Sequence, residues 1–165
     1  MYICKPERNI LQVRLLLILS AVITLTLFFV CSVTKGYLST VTQLLGFVSL
    51  VVAILLNTRY SLTEFEYSVD DNDFTITKIL GNKRQIVCCV ALETAIALYT
   101  KEEYSHLPSG EKAIIKYSLN QNIRCESYVF VCDFNGKRAK IEFEPNAPFV
   151  SIVRNKIDNA IKNKD

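Results

Sequence analysis

The sequence predicts an α+β protein, in which an N-terminal two-helix transmembrane hairpin precedes an antiparallel β-barrel or sandwich of about seven strands and an amphipathic C-terminal helix. Two uncharged runs, residues 15–34 and 36–58, are long enough to cross a membrane. From residue 59 onward, apolar residues alternate with polar ones, as in strands with one buried face. We therefore divide the chain into residues 1–58, the N-terminal segment and membrane hairpin, and residues 59–165, a soluble domain.

The two predicted spans cover about residues 15–34 and 37–57. A helix rises about 1.5 Å per residue, so each span extends over roughly 30 Å, the thickness of the hydrocarbon layer. Only one charged residue, Lys35, separates the two runs, so the spans must be antiparallel neighbours. The bulky Phe28 and Phe29 do not suit a signal-peptide cleavage site, and we expect the first helix to be retained.

The basic residues that flank the spans predict their orientation. Lys5, Arg8 and Arg14 precede the first span and Arg59 follows the second, whereas Lys35 stands alone at the tip between them. Basic residues are enriched on the cytoplasmic side of membrane helices. We therefore take Arg14, Lys35 and Arg59 as topology determinants, and we expect both termini and the soluble domain to be cytoplasmic.

The distribution of charge excludes one class of partner. The net charge is +3, and residues 1–58 carry all of it, with four basic residues against one acid. Residues 59–165 hold fifteen basic and fifteen acidic residues. A neutral domain lacks the positive field of a nucleic-acid-binding protein, so we expect no nucleic acid as a partner.

The cysteines predict neither disulfides nor a metal site. Cys31 lies within a span, Cys88 and Cys89 are adjacent and would point to opposite faces of a strand, and no C-x-x-C motif occurs. Zinc sites that combine cysteine with histidine would have only His106 to draw on. We therefore expect six reduced thiols, no metal and no cofactor.

Turn-forming residues divide the soluble domain into strands. Residues 70–73 and 81–84 predict two turns, and residues 85–92 are apolar on both faces, as in a central strand. Residues 101–111 predict a surface loop. Beyond it, Asn146 can cap a helix with one apolar stripe. The remaining predicted strands are residues 65–69, 74–76, 95–100, 112–119, 125–134 and 137–144, the last two joined by a turn at Asn135 and Gly136.

The segment that follows the second span resembles a known family. Arg59, Tyr60, Leu62 and Thr63 give the pattern Arg-Tyr-x-Leu-Thr directly after a membrane hairpin, as at the start of bacterial PH-like domain membrane proteins. Seven antiparallel strands with a terminal helix are likewise the PH-like arrangement. The resemblance implies a PH-like domain over residues 59–165 and a location in the bacterial cell membrane, but it implies no particular activity.

Three basic residues near the second turn are candidate contacts for lipid head groups. A strand that leaves the membrane at Arg59 and reverses at residues 70–73 would return toward the bilayer at the next turn. Lys78, Lys83 and Arg84 lie around that turn. Cations near an anionic leaflet each contribute on the order of 1 kcal/mol, and a solvated basic turn is the alternative.

Asp70, Asp71 and Asp73 offer three carboxylates within four residues, as a calcium site would need. The glycine and distal glutamate of a calcium-binding loop are missing, and acidic residues favour tight turns for backbone reasons. We therefore predict a solvated turn. PH domains that bind phosphoinositides carry basic residues around the corresponding first hairpin, so the resemblance does not extend to that mode of binding.

No catalytic motif accompanies the histidine. His106 lies in a polar loop with Glu102 and Glu103, and no G-x-S-x-G, Walker or H-E-x-x-H sequence occurs. We predict a protein that is not an enzyme. An active site assembled from scattered residues is the rival hypothesis, and Tyr99 would belong to it.

The second span carries small and polar residues, among them Thr40, Gln43, Gly46 and Ser49. Such residues line helix interfaces in membranes, either with the first span or with another chain. Gln43 in particular needs a hydrogen-bond partner within a span. Gln43 and Gly46 are our candidate intramembrane interface, through which the protein could oligomerise.

These observations favour a membrane-anchored, non-catalytic PH-like interaction module that binds a protein partner of unknown identity or the lipid bilayer surface. The alternative is an accessory subunit of a membrane transporter or enzyme complex, in which the transmembrane hairpin carries the specificity.

Overall fold

A computed structural model describes residues 1–108 and 113–162 of the chain. The chain forms two compact units, a helical one of Arg8–Thr63 and a β-rich one of Met1–Glu7 with Glu64–Asp165. Residues 1–7, which were predicted to belong with the membrane hairpin, instead join the β-rich unit. They do so because Tyr2–Cys4 pairs as a strand with residues 67–69.

The helical unit is a hairpin of α1 (Ile10–Val33) and α2 (Tyr37–Asn57), which a short π-helical segment (Thr58–Leu62) extends. Both helices are long and apolar enough to cross a membrane. The Asn9 side chain caps α1 by accepting a hydrogen bond from the Gln12 N–H at 3.3 Å. At the other end, Gly36 adopts a φ of +67°, a conformation that favours glycine, and reverses the chain.

Small and polar residues hold the two helices together. Gly46 lies against the ring of Phe28, where an added Cβ would be at contact distance, 3.4 Å. The hydroxyls of Thr24 and Ser49 are 2.7 Å apart. These contacts form the hairpin interface, which is one of the two roles that the sequence predicted for the residues of the second span.

The strands of the β-rich unit are β1 (Tyr2–Cys4), β2 (Thr63–Val69), β3 (Asp73–Leu80), β4 (Lys83–Ala91), β5 (Ala95–Thr100), β6 (Ile115–Ser118), β7 (Tyr128–Phe134) and β8 (Lys137–Phe143). They form two four-stranded sheets, in the orders β1-β2-β3-β4 and β5-β7-β8-β6. β1 is antiparallel to β2, β3 to β4, and β7 to both β5 and β8, whereas β6 and β8 are parallel.

The α+β class is therefore confirmed, with two corrections. The described residues form eight strands rather than about seven, because three residues before the first helix were too few to show alternation. No closed barrel forms among the described residues, since the strands separate into two sheets. The strands predicted at residues 112–119 and 125–134 begin later, at Ile115 and Tyr128.

Aromatic side chains fill the space between the two sheets. The Phe74 ring of β3 stacks on Phe130 of β7 at a centroid distance of 5.0 Å and lies 5.1 Å from Phe143 of β8. Phe143 also meets Tyr67 of β2 edge to face at 5.2 Å. All four rings come from strands that the sequence predicted, and they join the sheets into one core.

The C-terminal helix that the sequence predicted after Asn146 is α4 (Ala147–Lys162). The Asn146 carboxamide oxygen accepts a hydrogen bond from the Phe149 N–H at 3.1 Å and so caps the helix. Phe149, Val153 and Ile157 are buried and belong to the same core as the sheets. The apolar stripe thus covers the core as expected.

The predicted loop of residues 101–111 begins with a short helix, α3 (Lys101–Ser105). Thr100 and Glu103 form a reciprocal capping box, which accounts for the helix start. Residues 109–111 of this prediction, and residue 112 of the strand predicted after it, lie outside the described residues.

Candidate membrane-contact surface

The hairpin formed by β3 and β4 differs most clearly from the sequence prediction. Residues 85–92 were predicted to form a central strand, but β4 lies at the edge of its sheet. Apolar residues on both faces of this strand suggested that both faces are buried. The structure buries only the half of the hairpin near Phe74, Ile76 and Val90. The other half lies outside the core.

A tight turn closes the exposed end of this hairpin. Leu80 pairs with Lys83, leaving Gly81 and Asn82 as the loop. Gly81 has a φ of +57°, as a type II′ turn requires in its first central residue. The register then shifts between Ile76 and Thr77, so that β4 contains one extra residue, a β-bulge that increases the local twist.

Large apolar side chains are exposed at this end. Leu80 is 40%, Ile86 64% and Val87 39% exposed. Leu80 and Ile86 lie on opposite faces of the hairpin, because Leu80 pairs with Lys83 while Ile86 lies three residues farther along β4. Large apolar side chains are therefore exposed on both faces of this end, although Val87 also lines a cavity shared with the other sheet.

The three predicted basic residues share this end of the hairpin but not one face. Lys78 and Lys83 lie on the face of Leu80, since Lys83 is opposite Leu80 and Lys78 is two residues away. Arg84 is opposite Ile79 and lies on the other face. The prediction that these residues contact lipid head groups remains a prediction, now with cations on both sides of an apolar tip.

Arg84 also has an acidic neighbour. Its Nη1 atom lies 3.7 Å from a carboxylate oxygen of Glu66, whose other oxygen lies 3.4 Å from Lys5 Nζ. Glu66 is buried on β2, whereas the basic partners are exposed. An anion at the hairpin end would therefore meet two lysines, Lys78 and Lys83, and an arginine whose positive charge Glu66 partly balances.

The carboxylates of the acidic turn at residues 70–73 have separate partners and do not form one site. Asp70 pairs with the N-terminal ammonium at 3.0 Å, while Asp71 pairs with Lys156 of α4 at 2.6 Å. The hydrogen bond and charge of Lys156 lower the pKa of Asp71. No group of three histidine, cysteine or acidic residues suited to a metal ion occurs in the part of the chain that the structure describes. The turn instead links α4 to the first sheet.

The residues of the rival catalytic hypothesis are likewise not gathered around one cavity. The Glu103 carboxylate accepts a hydrogen bond from the Thr100 N–H at 2.7 Å, which lowers its pKa and commits it to capping α3. A surface cavity of about 520 Å³ lies beside α3 and is lined by Thr100, Lys101 and Glu102, among others, but not by His106. Tyr99 packs against the Tyr104 ring, 6.2 Å away.

The cysteines are all free, as predicted. Cys125 lines the cavity beside α3, and burial raises the pKa of its thiol to about 11. Burial likewise raises the pKa values of Cys88 and Cys132 to about 11. A thiol with so high a pKa is protonated at neutral pH and is a weak nucleophile.

One ion-pair cluster was not foreseen from sequence. Glu142 of β8 pairs with Lys101 at 2.6 Å and with Lys140 at 3.5 Å. Burial pushes the pKa of Glu142 upward, but these two partners outweigh it and hold the pKa below its ordinary value of 4.5. Because a lowered pKa favours the folded state above the ordinary value, this contribution is lost as the pH falls below about 4.5.

We therefore expect Glu142→Gln to reduce the acid sensitivity of the fold. Thermal unfolding of the full chain in lipid nanodiscs, followed by circular dichroism, should give a smaller loss of stability between pH 7 and pH 4 than in the wild type. Glu126→Gln, at an exposed position, is the matched control and should retain the wild-type pH dependence. Equal pH dependence in the Glu142 variant and the wild type would contradict the assignment.

In the helical unit, Arg59 lies in the π-helical segment and Arg14 in the second turn of α1, so both belong to the end of the hairpin opposite Lys35. Two of the predicted topology determinants thus lie at one end of the hairpin and the third at the other.

The two residues of the candidate intramembrane interface differ in burial. Gly46 is buried against Phe28, whereas Gln43, about 60° away around α2, is exposed. That they form an interface with another chain remains a prediction.

The chain is similar to a known protein family. A family model described as "Bacterial PH-like domain (DUF6106)" matches residues 3–163. The match includes the last two residues of β1 and the helical hairpin as well as the domain that follows. No curated protein and no solved structure gives a significant match.

Proposed function

The chain belongs to the bacterial PH-like domain family, and from this premise we propose that it is a membrane-anchored interaction module with no reaction of its own. The PH-like fold is of the interaction-module kind. In this proposal α1 and α2 span the bacterial cell membrane, and both termini and the PH-like domain are cytoplasmic. Arg14 and Arg59 at one end of the hairpin, against Lys35 at the other, support that orientation.

The β3–β4 hairpin end is the surface with which the domain binds the anionic face of the bilayer. The observation that carries this proposal is the exposed pair Leu80 and Ile86 beside Lys78, Lys83 and Arg84. Apolar side chains gain roughly 25 cal/mol for each Å² removed from water. Each cation near an anionic leaflet adds about 1 kcal/mol.

Entry of the hairpin end into the bilayer also accounts for its two apolar faces. A strand that packs on one sheet needs only one apolar face. A hairpin end that enters the head-group region meets lipid on both faces, with its cations at the level of the phosphates. Lys78 and Lys83 on one face and Arg84 on the other suit that position.

The chain contains no tryptophan, so a single introduced tryptophan reports on its own surroundings. We expect Leu80→Trp and Ile86→Trp, each in the full chain in nanodiscs, to emit at shorter wavelength when the lipid includes phosphatidylglycerol than in phosphatidylcholine alone. Lipids brominated in the acyl chains should quench both. Ile96→Trp, on edge strand β5 of the other sheet and exposed, is the control and should show neither effect.

The basic residues have a separate test. Lys78→Gln, Lys83→Gln and Arg84→Gln together should move the Ile86→Trp emission in anionic nanodiscs back toward its value in neutral lipid, and higher salt should do the same. Emission that is insensitive to lipid charge, salt and these substitutions would contradict lipid contact and favour a protein as the target of the hairpin.

A further inference from the structure

Within the described part of the chain, every serine and threonine of the two long helices except Thr40 forms a hydrogen bond inside the hairpin. Ser20, Thr26 and Thr42 donate hydrogen bonds to carbonyls of their own helix at 2.8, 2.8 and 2.9 Å. Thr24 and Ser49 bond to each other across the hairpin. Gln43 differs, because its exposed side chain makes no hydrogen bond to any part of the chain that the structure describes.

The position of Gln43 makes this costly in a membrane. It follows the first residue of α2, Tyr37, by six positions, about 9 Å along the helix axis. If α2 spans the bilayer, as the proposed function holds, this depth falls within the hydrocarbon layer. An amide there without a partner costs several kcal/mol, so Gln43 needs a group from outside its own hairpin.

Gln43 begins a regular stripe on α2. Phe47, Leu50 and Ile54 follow at spacings of four, seven and eleven residues, the spacing of a coiled-coil seam. All four side chains are exposed, although the Phe47 ring also meets Phe28 of α1 edge to face at 5.7 Å. At 100° per residue the four lie within about 60° of one another on the flank of Gly46. One polar residue in such a seam specifies which helices pair and in what register.

We propose that two copies of this chain pair in the membrane through the α2 stripe of Gln43, Phe47, Leu50 and Ile54. Copies inserted in the same direction are related by a two-fold axis along the membrane normal, which makes their α2 helices parallel and brings Gln43 to the same depth in both. A carboxamide both donates and accepts hydrogen bonds. Each Gln43 is therefore the complementary partner of the other, which favours a second copy over an unrelated helix.

Energy transfer between full-length chains that carry donor and acceptor dyes on a C-terminal tag, reconstituted in liposomes over a range of protein-to-lipid ratios, measures this pairing. We expect a saturable signal for the wild type and roughly tenfold weaker association for Gln43→Leu, as for the loss of an interhelical hydrogen bond. Gln43→Asn should retain most of the association. Thr26→Leu, which also removes an exposed hydroxyl but one bonded within its own helix, should behave as the wild type.

Two leucines of α2 provide a matched pair that tests the stripe itself. Leu50 within the stripe is 40% exposed and Leu45 outside it is 49% exposed. Leu50→Ala should weaken association and Leu45→Ala should not. The pairing is contradicted if the wild type is monomeric but resists extraction from the membrane at alkaline pH, or if Gln43→Leu leaves a dimer intact. Neither result would contradict the membrane anchoring. A wild type that alkaline treatment extracts from the membrane overturns the anchoring in the proposed function.

Discussion

Replacing Glu144 with alanine is expected to destabilise the PH-like domain by about 3 kcal/mol, because it removes the acceptor of a buried polar network. Glu144 is almost fully buried at the end of β8. Its carboxylate accepts hydrogen bonds from the N–H groups of Gln121 and Asn122 at 2.6 and 3.1 Å, and from the Asn122 amide at 3.1 Å. Alanine leaves these buried donors without their acceptor.

The damage should extend beyond the loop that contains Asn122. The same Asn122 amide also donates to the Glu7 carbonyl at 2.6 Å, so Glu144 indirectly positions the segment that follows β1. Hydrogen exchange of the full chain in nanodiscs should therefore be faster at Gln121 and Asn122 in Glu144→Ala, and also at β1. Chemical denaturation followed by circular dichroism measures the loss of stability.

Two further variants separate the network from charge alone. Glu144→Gln keeps one carbonyl acceptor but turns an oxygen into a donor, so it should destabilise less than alanine. Glu126→Ala removes an exposed carboxylate of the same loop region and should change stability by less than about 0.5 kcal/mol. A Glu144→Ala variant as stable as Glu126→Ala would show that the network contributes nothing.

Sequence could not have revealed this network. The donors are backbone groups some 22 residues away from Glu144, and no side-chain pattern marks a backbone N–H as a partner. In sequence, Glu144 reads as one more polar residue at the end of an alternating strand. By contrast, the two long helices, the Asn135–Gly136 hairpin and α4 follow from local periodicity and turn residues. These were predicted correctly, except that α1 begins at Ile10, five residues before the predicted span.

The errors in the fold arose where distant residues decide the structure. β1 has three residues and exists because Val69, Ser68 and Tyr67 lie beside it, so no pattern within the strand identifies it. β4 looked central because its apolar residues occupy both faces, yet a strand in contact with lipid would show the same pattern. Periodicity reports an apolar environment without saying whether protein or membrane provides it.

The candidate site was predicted in part for the same reason. Lys78, Lys83 and Arg84 follow from their nearness to a turn, but the division of these cations between two faces depends on the pairing of Leu80 with Lys83. Leu80 and Ile86 were missed as site residues. The available signal was a pair of large apolar residues close to a Gly-Asn turn, where a polar surface is usual.

Phe74→Ala should have the largest effect, a loss of about 4 kcal/mol in the stability of the PH-like domain. Phe74 is fully buried on β3 and contacts Phe130 and Phe143 of the second sheet. Alanine leaves a cavity between the sheets and removes both ring contacts. Phe134→Ala, at the exposed end of β7, is the matched control and should cost less than about 1 kcal/mol. Chemical denaturation of the full chain, followed by circular dichroism, compares the two.

The same variant tests whether the two units of the chain are independent. The helical unit, Arg8–Thr63, has its own interface, built from Gly46, Phe28, Thr24 and Ser49. Phe74→Ala should therefore unfold the domain at lower denaturant concentration while the chain stays resistant to alkaline extraction from membranes. The lipid-dependent emission of Ile86→Trp should disappear with the domain fold, because the hairpin end depends on Phe74 at its buried half. Loss of membrane insertion together with the domain fold would mean that the helical unit requires the domain for its stability.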